Sequence, residues 1–231
     1  MTVPEAEFDS YSDNYNHAVN SALRYSGLDV DFVTKVKAAY IRRLVTMRFS
    51  NPAQVRLLDV GCGVGNMTSL LVGSVGHVAG VDVSPACIAA AENKTPGVEY
   101  AAYAGTRLPH PSASFDVATA ICVFHHVAPA DRLPLARDIR RVLKPKGLLM
   151  IFEHNPRNPL TMRVVNRCIF DKDAILLDHA HTDALMRAAG FQSVSTRFIL
   201  TIPAAGTFLR RLDQVFSRLP LGAQYYTVGV A

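Results

Sequence analysis

From residue 55 onward, short apolar runs bounded by glycine, proline and small polar residues alternate with stretches of helical periodicity, which is the pattern of βαβ units feeding a parallel sheet. The runs predict strands at 55–60, 77–81, 98–102, 115–121, 147–152, 193–200 and 224–230, with helices at 66–71, 85–93, 130–143 and 182–189. The helix ends carry their own signals. Ser84-Pro85 is a cap followed by a proline at the first helical position, Lys144-Pro145-Lys146-Gly147 stops one helix, and Gly190 stops another. An arginine-rich amphipathic segment, 208–219, joins the last two strands, so the final strand is free to pair antiparallel.

Ahead of the sheet, residues 11–48 read as two helices broken at Gly27, with Val33, Val36, Tyr40, Ile41 and Leu44 as an apolar stripe. The pattern therefore predicts an α/β fold: a Rossmann-like, doubly wound, seven-stranded, mostly parallel sheet with an antiparallel last strand and an N-terminal helical cap. Residues 1–50 form the cap or lid and 51–231 the core, within one structural domain. In open α/β sheets ligands lie beyond the carboxyl ends of the strands, so the cap and the loops after the strands are expected to enclose a site.

Composition narrows this picture only a little. At 231 residues, 49% hydrophobic, the chain can bury one sizeable core, and no repeat or low-complexity tract argues otherwise. A net charge of +5 is spread over scattered basic residues without a long run, so no nucleic-acid partner is expected. Cys62, Cys87, Cys122 and Cys168 lie far apart, with neither metal-ligand nor disulfide-framework spacing, and are read as reduced thiols with no metal site. Glu5, Glu7 and Asp9 stand where a signal peptide would be basic, and no apolar run is long enough to span a bilayer; a cytoplasmic protein, monomer or homodimer, is expected.

The first chemical signal is Gly61-Cys62-Gly63-Val64-Gly65, which follows a buried strand ending Asp59-Val60 and opens a helix. Closely spaced glycines permit positive φ and let a ligand lie against the main chain. A dinucleotide loop would place its third glycine where Asn66 stands, so the spacing fits a different ligand. Some twenty residues on, Asp82 after Val81 is placed to accept hydrogen bonds from ribose hydroxyls, while Ser84 caps the next helix.

Leu58-Asp59-Val60-Gly61-Cys62-Gly63-Val64-Gly65 resembles the first motif of class I S-adenosylmethionine (SAM) dependent methyltransferases, and matching motifs follow in order as far as Phe191. The resemblance implies SAM as cofactor, S-adenosylhomocysteine (SAH) as product, and a set of contacts. Asp59, Gly61, Cys62, Gly63 and Gly65 would cradle the cofactor, Asp82 would hold the ribose and Val83 would pack on adenine. The backbone of Ala104 and Gly105 would meet the adenine edge, where relatives carry an aspartate that this chain lacks. Ile121 and Cys122 would face the methionine part, and Tyr15 of the cap would touch the cofactor.

Methyl transfer needs an acceptor held in line with the methyl group and, for many acceptors, a base. His125-His126 follows the fourth strand and Glu153-His154 ends the fifth. Similarity to small-molecule methyltransferases implies His125 as catalytic base and Glu153 as its orienting carboxylate; the alternative is that the His-His step only caps and packs. Tyr11, His126, His154, Asn155 and Arg157 are expected on the acceptor side. The expected function is methylation of an oxygen, nitrogen or carbon atom of a small molecule in natural-product, glycan or lipid-linked metabolism. A tRNA or other nucleic-acid methyltransferase, for which the fourth strand lacks the Asn-Pro-Pro-Tyr type of ending, and a non-catalytic partner subunit are the alternatives. Segment 208–219 offers either a membrane-facing surface or a core or dimer face.

Overall fold

The strands are β1 (Arg56–Val60), β2 (His77–Asp82), β3 (Glu99–Ala102), β4 (Phe115–Ile121), β5 (Leu143–His154), β6 (Gln192–Ile199) and β7 (Gln224–Val230), and they form one sheet in the order β3-β2-β1-β4-β5-β7-β6. Pairing is parallel from β3 through β5, whereas β7 runs antiparallel to both β5 and β6. The computed structural model describes residues 15–23, 29–201 and 215–231, with side chains from residue 19 onward. Gly27, Tyr11 and most of 208–219 lie outside the described residues.

Parallel strands must be covered on both faces, and the alternation of side chains along each strand supplies two cores. Leu58, Val60, Ala118, Ala120, Leu149 and Ile151 point to one face, where Leu135, Ile139 and Val142 of α5 (Pro129–Val142) and Met186 of α7 (His179–Ala188) cover them. Leu57, Val117, Leu148, Met150 and Phe152 point to the other. There Val36, Ile41 and Val45 of α2 (Val30–Arg48) pack with Met67 and Leu71 of α3 (Asn66–Leu71). The helix α2 thus serves two purposes: its later turns complete a core, while its first turns, together with α1 (Tyr15–Leu23), wall the space above the strand ends.

Two local differences from the sequence reading have physical causes. β5 begins at Leu143 rather than 147, because Leu143 pairs with Phe115 before a register shift; Lys146 at φ +67° and Gly147, wedged between the Lys144 and Asp116 carbonyls, carry the strand through the irregularity. The polar stretch after β5 folds into α6 (Pro159–Val165). Asn158 caps it by accepting from the Leu160 and Thr161 N–H groups at 2.9 and 3.1 Å, and Pro159 sits at the first helical position. The remaining helix, α4 (Pro85–Lys94), is capped by Ser84, which accepts from Cys87 N–H as its sequence suggests.

Candidate active site

The order of the sheet reverses between β1 and β4, and the carboxyl ends of these strands open into a cavity of about 770 Å³. The turn after β1 forms part of its wall. Gly61 and Cys62 N–H both donate to the Val81 carbonyl at 2.8 and 3.0 Å, and Gly63 N–H donates to Asp82 Oδ2 at 2.8 Å. Ser84 N–H donates to the other carboxylate oxygen at 2.9 Å, so Asp82 ties the glycine turn to the end of β2.

The three glycines have different reasons to be glycine. All have positive φ, +70°, +51° and +75°. A Cβ on Gly61 would lie 2.4 Å from Val123 Cγ2, and one on Gly65 would press on Ala91 at 3.0 Å, whereas a Cβ on Gly63 would meet nothing within 4 Å. Gly63 therefore leaves main chain open to the cavity. Gly65 does not line the cavity, and its Cβ-free backbone serves the turn and its packing against Ala91.

Beneath the turn Asp59 is buried. Thr119 hydroxyl donates to its Oδ1 at 2.8 Å, but Oδ2 has no partner among the described residues. Burial pushes its carboxyl up to about 7 against the Thr119 hydrogen bond, with the Asp82 charge adding to the rise. Val83, 39% exposed despite being apolar, lines the same wall, as does Gly105. Ala104 is exposed and does not line the cavity; its neighbours Tyr103 and Thr106 do.

The cavity is also lined by Ile121, Cys122 and a cluster of imidazoles. Cys122 takes φ +58°, and Lys37 of α2, only 6% exposed, places Nζ 3.4 Å from its sulfur. Burial opposes the thiolate, but the Lys37 ammonium and His154 outweigh it and bring the thiol down to about 7. His125, 2% exposed, bonds through Nδ1 to Glu153 Oε2, and Glu153 Oε1 accepts from Phe124 N–H at 2.9 Å.

The expected His125–Glu153 pair is thus formed, but with an addition. A short 3₁₀ turn, Ile169–Asp171, brings Asp171 Oδ1 to 3.3 Å from His125 Nε2 and 3.5 Å from His126 Nε2, with Oδ2 at 3.8 Å from His154 Nε2. Burial disfavours the His125 imidazolium, yet the two carboxylates override it and hold the ring up to about 10. The burial cost of Asp171 is likewise overcome by His125 and its neighbours, which hold the carboxyl down to about 2, and Glu153 is lowered for the same reason. Burial and the His125 charge push His126 down to about 4. Held between two carboxylates, His125 is shifted toward its protonated form in this arrangement.

Two expected acceptor contacts are not brought to the cavity. Asn155 is buried, its Nδ2 donating to the Pro220 and Gly222 carbonyls and its Oδ1 accepting from Arg157 N–H, so it pins the loop before β7. Arg157 pairs with Asp178 at 3.0 Å on an outer groove. His126 and His154 do line the cavity. Tyr11 lies outside the described residues, as does the side chain of Tyr15. Lys37 and Asp171 were missed. Lys37 had a signal, because it falls on the Val33–Ile41 stripe where an apolar residue belongs; Asp171 had none.

Residues 58–151 match the family described as "Methyltransferase domain". Over that span, less than half of its length, the chain is similar to SAM-dependent methyltransferases. Among relatives, 2-methyl-6-phytyl-1,4-hydroquinone methyltransferase of Synechocystis sp. is 32% identical over 111 residues, 46% of this chain and 34% of that one. Demethylmenaquinone methyltransferase of Thermotoga maritima is 31% identical over 153 residues, 65% of this chain and 61% of that one. The chain spans about a third to a half of the length of the first relatives it matches. A solved SAM-dependent methyltransferase of Thermotoga maritima, described as a possible histamine N-methyltransferase, superposes with a TM-score of 0.68 at 19% identity, over 96% of this chain and 97% of that one. At that identity the likeness is one of fold.

The residues that line the cavity are of the kinds that would hold SAM, the cofactor this similarity implies. Gly63 leaves main chain bare, Asp82 presents a carboxylate, Val83 offers an apolar face, and Asp59 Oδ2 has no partner among the described residues. Each of these lines the cavity.

Proposed function

We propose that this methyltransferase moves the methyl group of SAM to a small-molecule acceptor with an apolar body and a polar reacting end. The observation that carries this reading is the mixed lining of a single cavity: it brings together the glycine turn and Asp82, the imidazole cluster, and apolar side chains such as Val19, Leu23, Leu160, Val164 and Phe170. Two relatives bear the names of hydroquinone and menaquinone methyltransferases, which supports an acceptor of that general character.

In this reading Asp82 and Val83 hold the nucleoside, Ile121 and Cys122 border the methionyl end, and the acceptor enters from the side of α1 and α6. SAM supplies an electrophilic methyl group when bound; the protein supplies position and a dry surround. His125 is a buried, charge-holding strut. His126, with 21% of its side chain exposed, is the imidazole within reach of an acceptor proton. The Glu153–His125–Asp171 line fixes the geometry beside it.

The test is SAH formation from SAM with a panel of phenols, hydroquinones, amines and acidic sugars, beside calorimetry with SAH alone. Turnover confined to apolar acceptors supports the reading. No SAH binding at millimolar ligand overturns the activity and the cofactor residues together, and turnover only on tRNA overturns the acceptor class.

A further inference from the structure

We infer that His125, His154 and Asp171 form a binding site for a divalent transition-metal ion in the wall of the cavity. The three residues come from the β4–α5 loop, the end of β5 and the 3₁₀ turn, and one ligand atom from each lies within 4.8 Å of the others. A tetrahedral ion with bonds of about 2.0–2.1 Å needs ligand atoms about 3.3–3.4 Å apart. The separations of 3.3 Å from His125 Nε2 to Asp171 Oδ1 and 3.8 Å from His154 Nε2 to Asp171 Oδ2 are close to this, and a set within 4.8 Å overall would contract by up to about 1.4 Å on closing around an ion. Two imidazoles and a carboxylate suit zinc, cobalt or iron better than magnesium or calcium, which prefer oxygen donors.

The surroundings carry the argument further than the ligand set alone. Metal-bound histidines commonly donate their second N–H to a carboxylate or carbonyl, which turns the ligating nitrogen toward the ion. His125 has this support from Glu153, and Glu153 is fixed in turn by Phe124 N–H. His125 Nε2 is fully buried and makes no hydrogen bond of good geometry. Next to His154, Gln224 Nε2 stands 3.3 Å from Nδ1 while its buried Oε1 has no partner. Rotating that amide by half a turn would exchange the 3.9 Å contact of Nε2 with Cys122 Sγ for an Oε1 that accepts from His154 Nδ1–H, and would leave His154 Nε2 turned toward Asp171. Both imidazoles then have the outer support of a ligand pair.

Because the three residues line the cavity, an ion held there would keep coordination positions open to it, where an acceptor hydroxyl would bind and lose its proton more easily. That role rests on the proposed methyl transfer, but metal binding itself does not. The ligands stand 29 and 17 residues apart on three separate elements, so no local spacing signals the site.

The experiment uses the untagged full chain, stripped with a chelator, titrated with Co²⁺ by visible absorption and with Zn²⁺ by calorimetry. The expected result is one equivalent bound, with the d–d bands of a four- or five-coordinate ion. Asp171→Asn and His154→Ala should each weaken binding by about tenfold or more, and Glu153→Gln by about 10- to 100-fold through the outer contact. His181→Ala, which removes an exposed imidazole, should change nothing. Absence of a one-equivalent site, or binding indifferent to both Asp171→Asn and His154→Ala, overturns the inference; if thermal melting shows His154→Ala unfolded, Asp171→Asn decides. SAH calorimetry on the same samples separates the two proposals, because a chain that binds Co²⁺ but not SAH keeps this site and loses the methyl-transfer reading.

Discussion

Glu153 and Asp171 hold His125 from opposite sides, the first at Nδ1 and the second 3.3 Å from Nε2. Breaking a buried charged pair from one side strands the other partner, at a cost of about 3–5 kcal/mol, whereas replacing both with apolar residues of similar volume costs much less. Glu153→Leu alone should therefore lower denaturant stability by about 3–5 kcal/mol, and His125→Leu/Glu153→Leu by less than the sum of the two single changes. Additive losses in urea unfolding would show that the pair is not an energetic unit.

Asp82 stands between the glycine turn and the proposed ribose. Its carboxylate accepts from Gly63 and Ser84 N–H and lines the cavity, where ribose hydroxyls would meet it. Asp82→Ala should weaken SAH binding by about 1–3 kcal/mol, roughly tenfold to a hundredfold in Kd by calorimetry. His126→Ala should leave SAH affinity close to that of the parent while slowing turnover, by about 10²- to 10⁴-fold if it takes the acceptor proton. An equal loss of SAH binding in both variants would place His126 with the cofactor instead.

How far the sequence could be read followed from how local each signal was. The strand runs at 115–121 and 224–230 coincide with β4 and β7, because continuous apolar segments between sharp stops have little freedom of register. The glycine turn, Asp82 and the His125–Glu153 pair were legible for a similar reason: each follows a strand, and parallel strands deliver their ends to one rim. Asp171 was not, because it arrives on a three-residue turn with no periodicity, held by contacts distant in sequence. Asn155 and Arg157 misled because a polar residue leaving a buried strand looks the same whether it faces a ligand or ties down a neighbouring loop. Here the loop at 220–222 took Asn155, and Asp178 took Arg157.

Gly61 and Gly63 should respond to alanine in opposite ways. Each substitution incurs roughly 1–2 kcal/mol for a left-handed backbone, but only Gly61→Ala also drives a methyl group into Val123. Gly61→Ala should therefore melt well below the parent. Gly63→Ala should stay folded with modest loss, and its methyl group should project into the cavity and weaken SAH binding. Equal melting temperatures for the two variants would remove the Val123 contact as the reason for Gly61.

Asp178 links the outer groove to acid stability. It caps α7 by accepting from His181 N–H at 2.9 Å and pairs with Arg157 at 3.0 Å; although burial opposes its charge, these partners hold its carboxyl down to about 2 from an ordinary 3.8. A carboxyl depressed on folding stabilises the protein above its unfolded value, and that contribution fades as pH falls toward the folded one. Asparagine caps a helix about as well as aspartate, so Asp178→Asn removes the charge and keeps the cap. The variant should be less stable than the parent by roughly 1–3 kcal/mol above pH 4. The gap should close as pH falls from about 4 to about 2. Urea unfolding at pH 7, 4 and 2.5 measures it, and a constant gap across that range would mean that Asp178 acts through its shape rather than its charge.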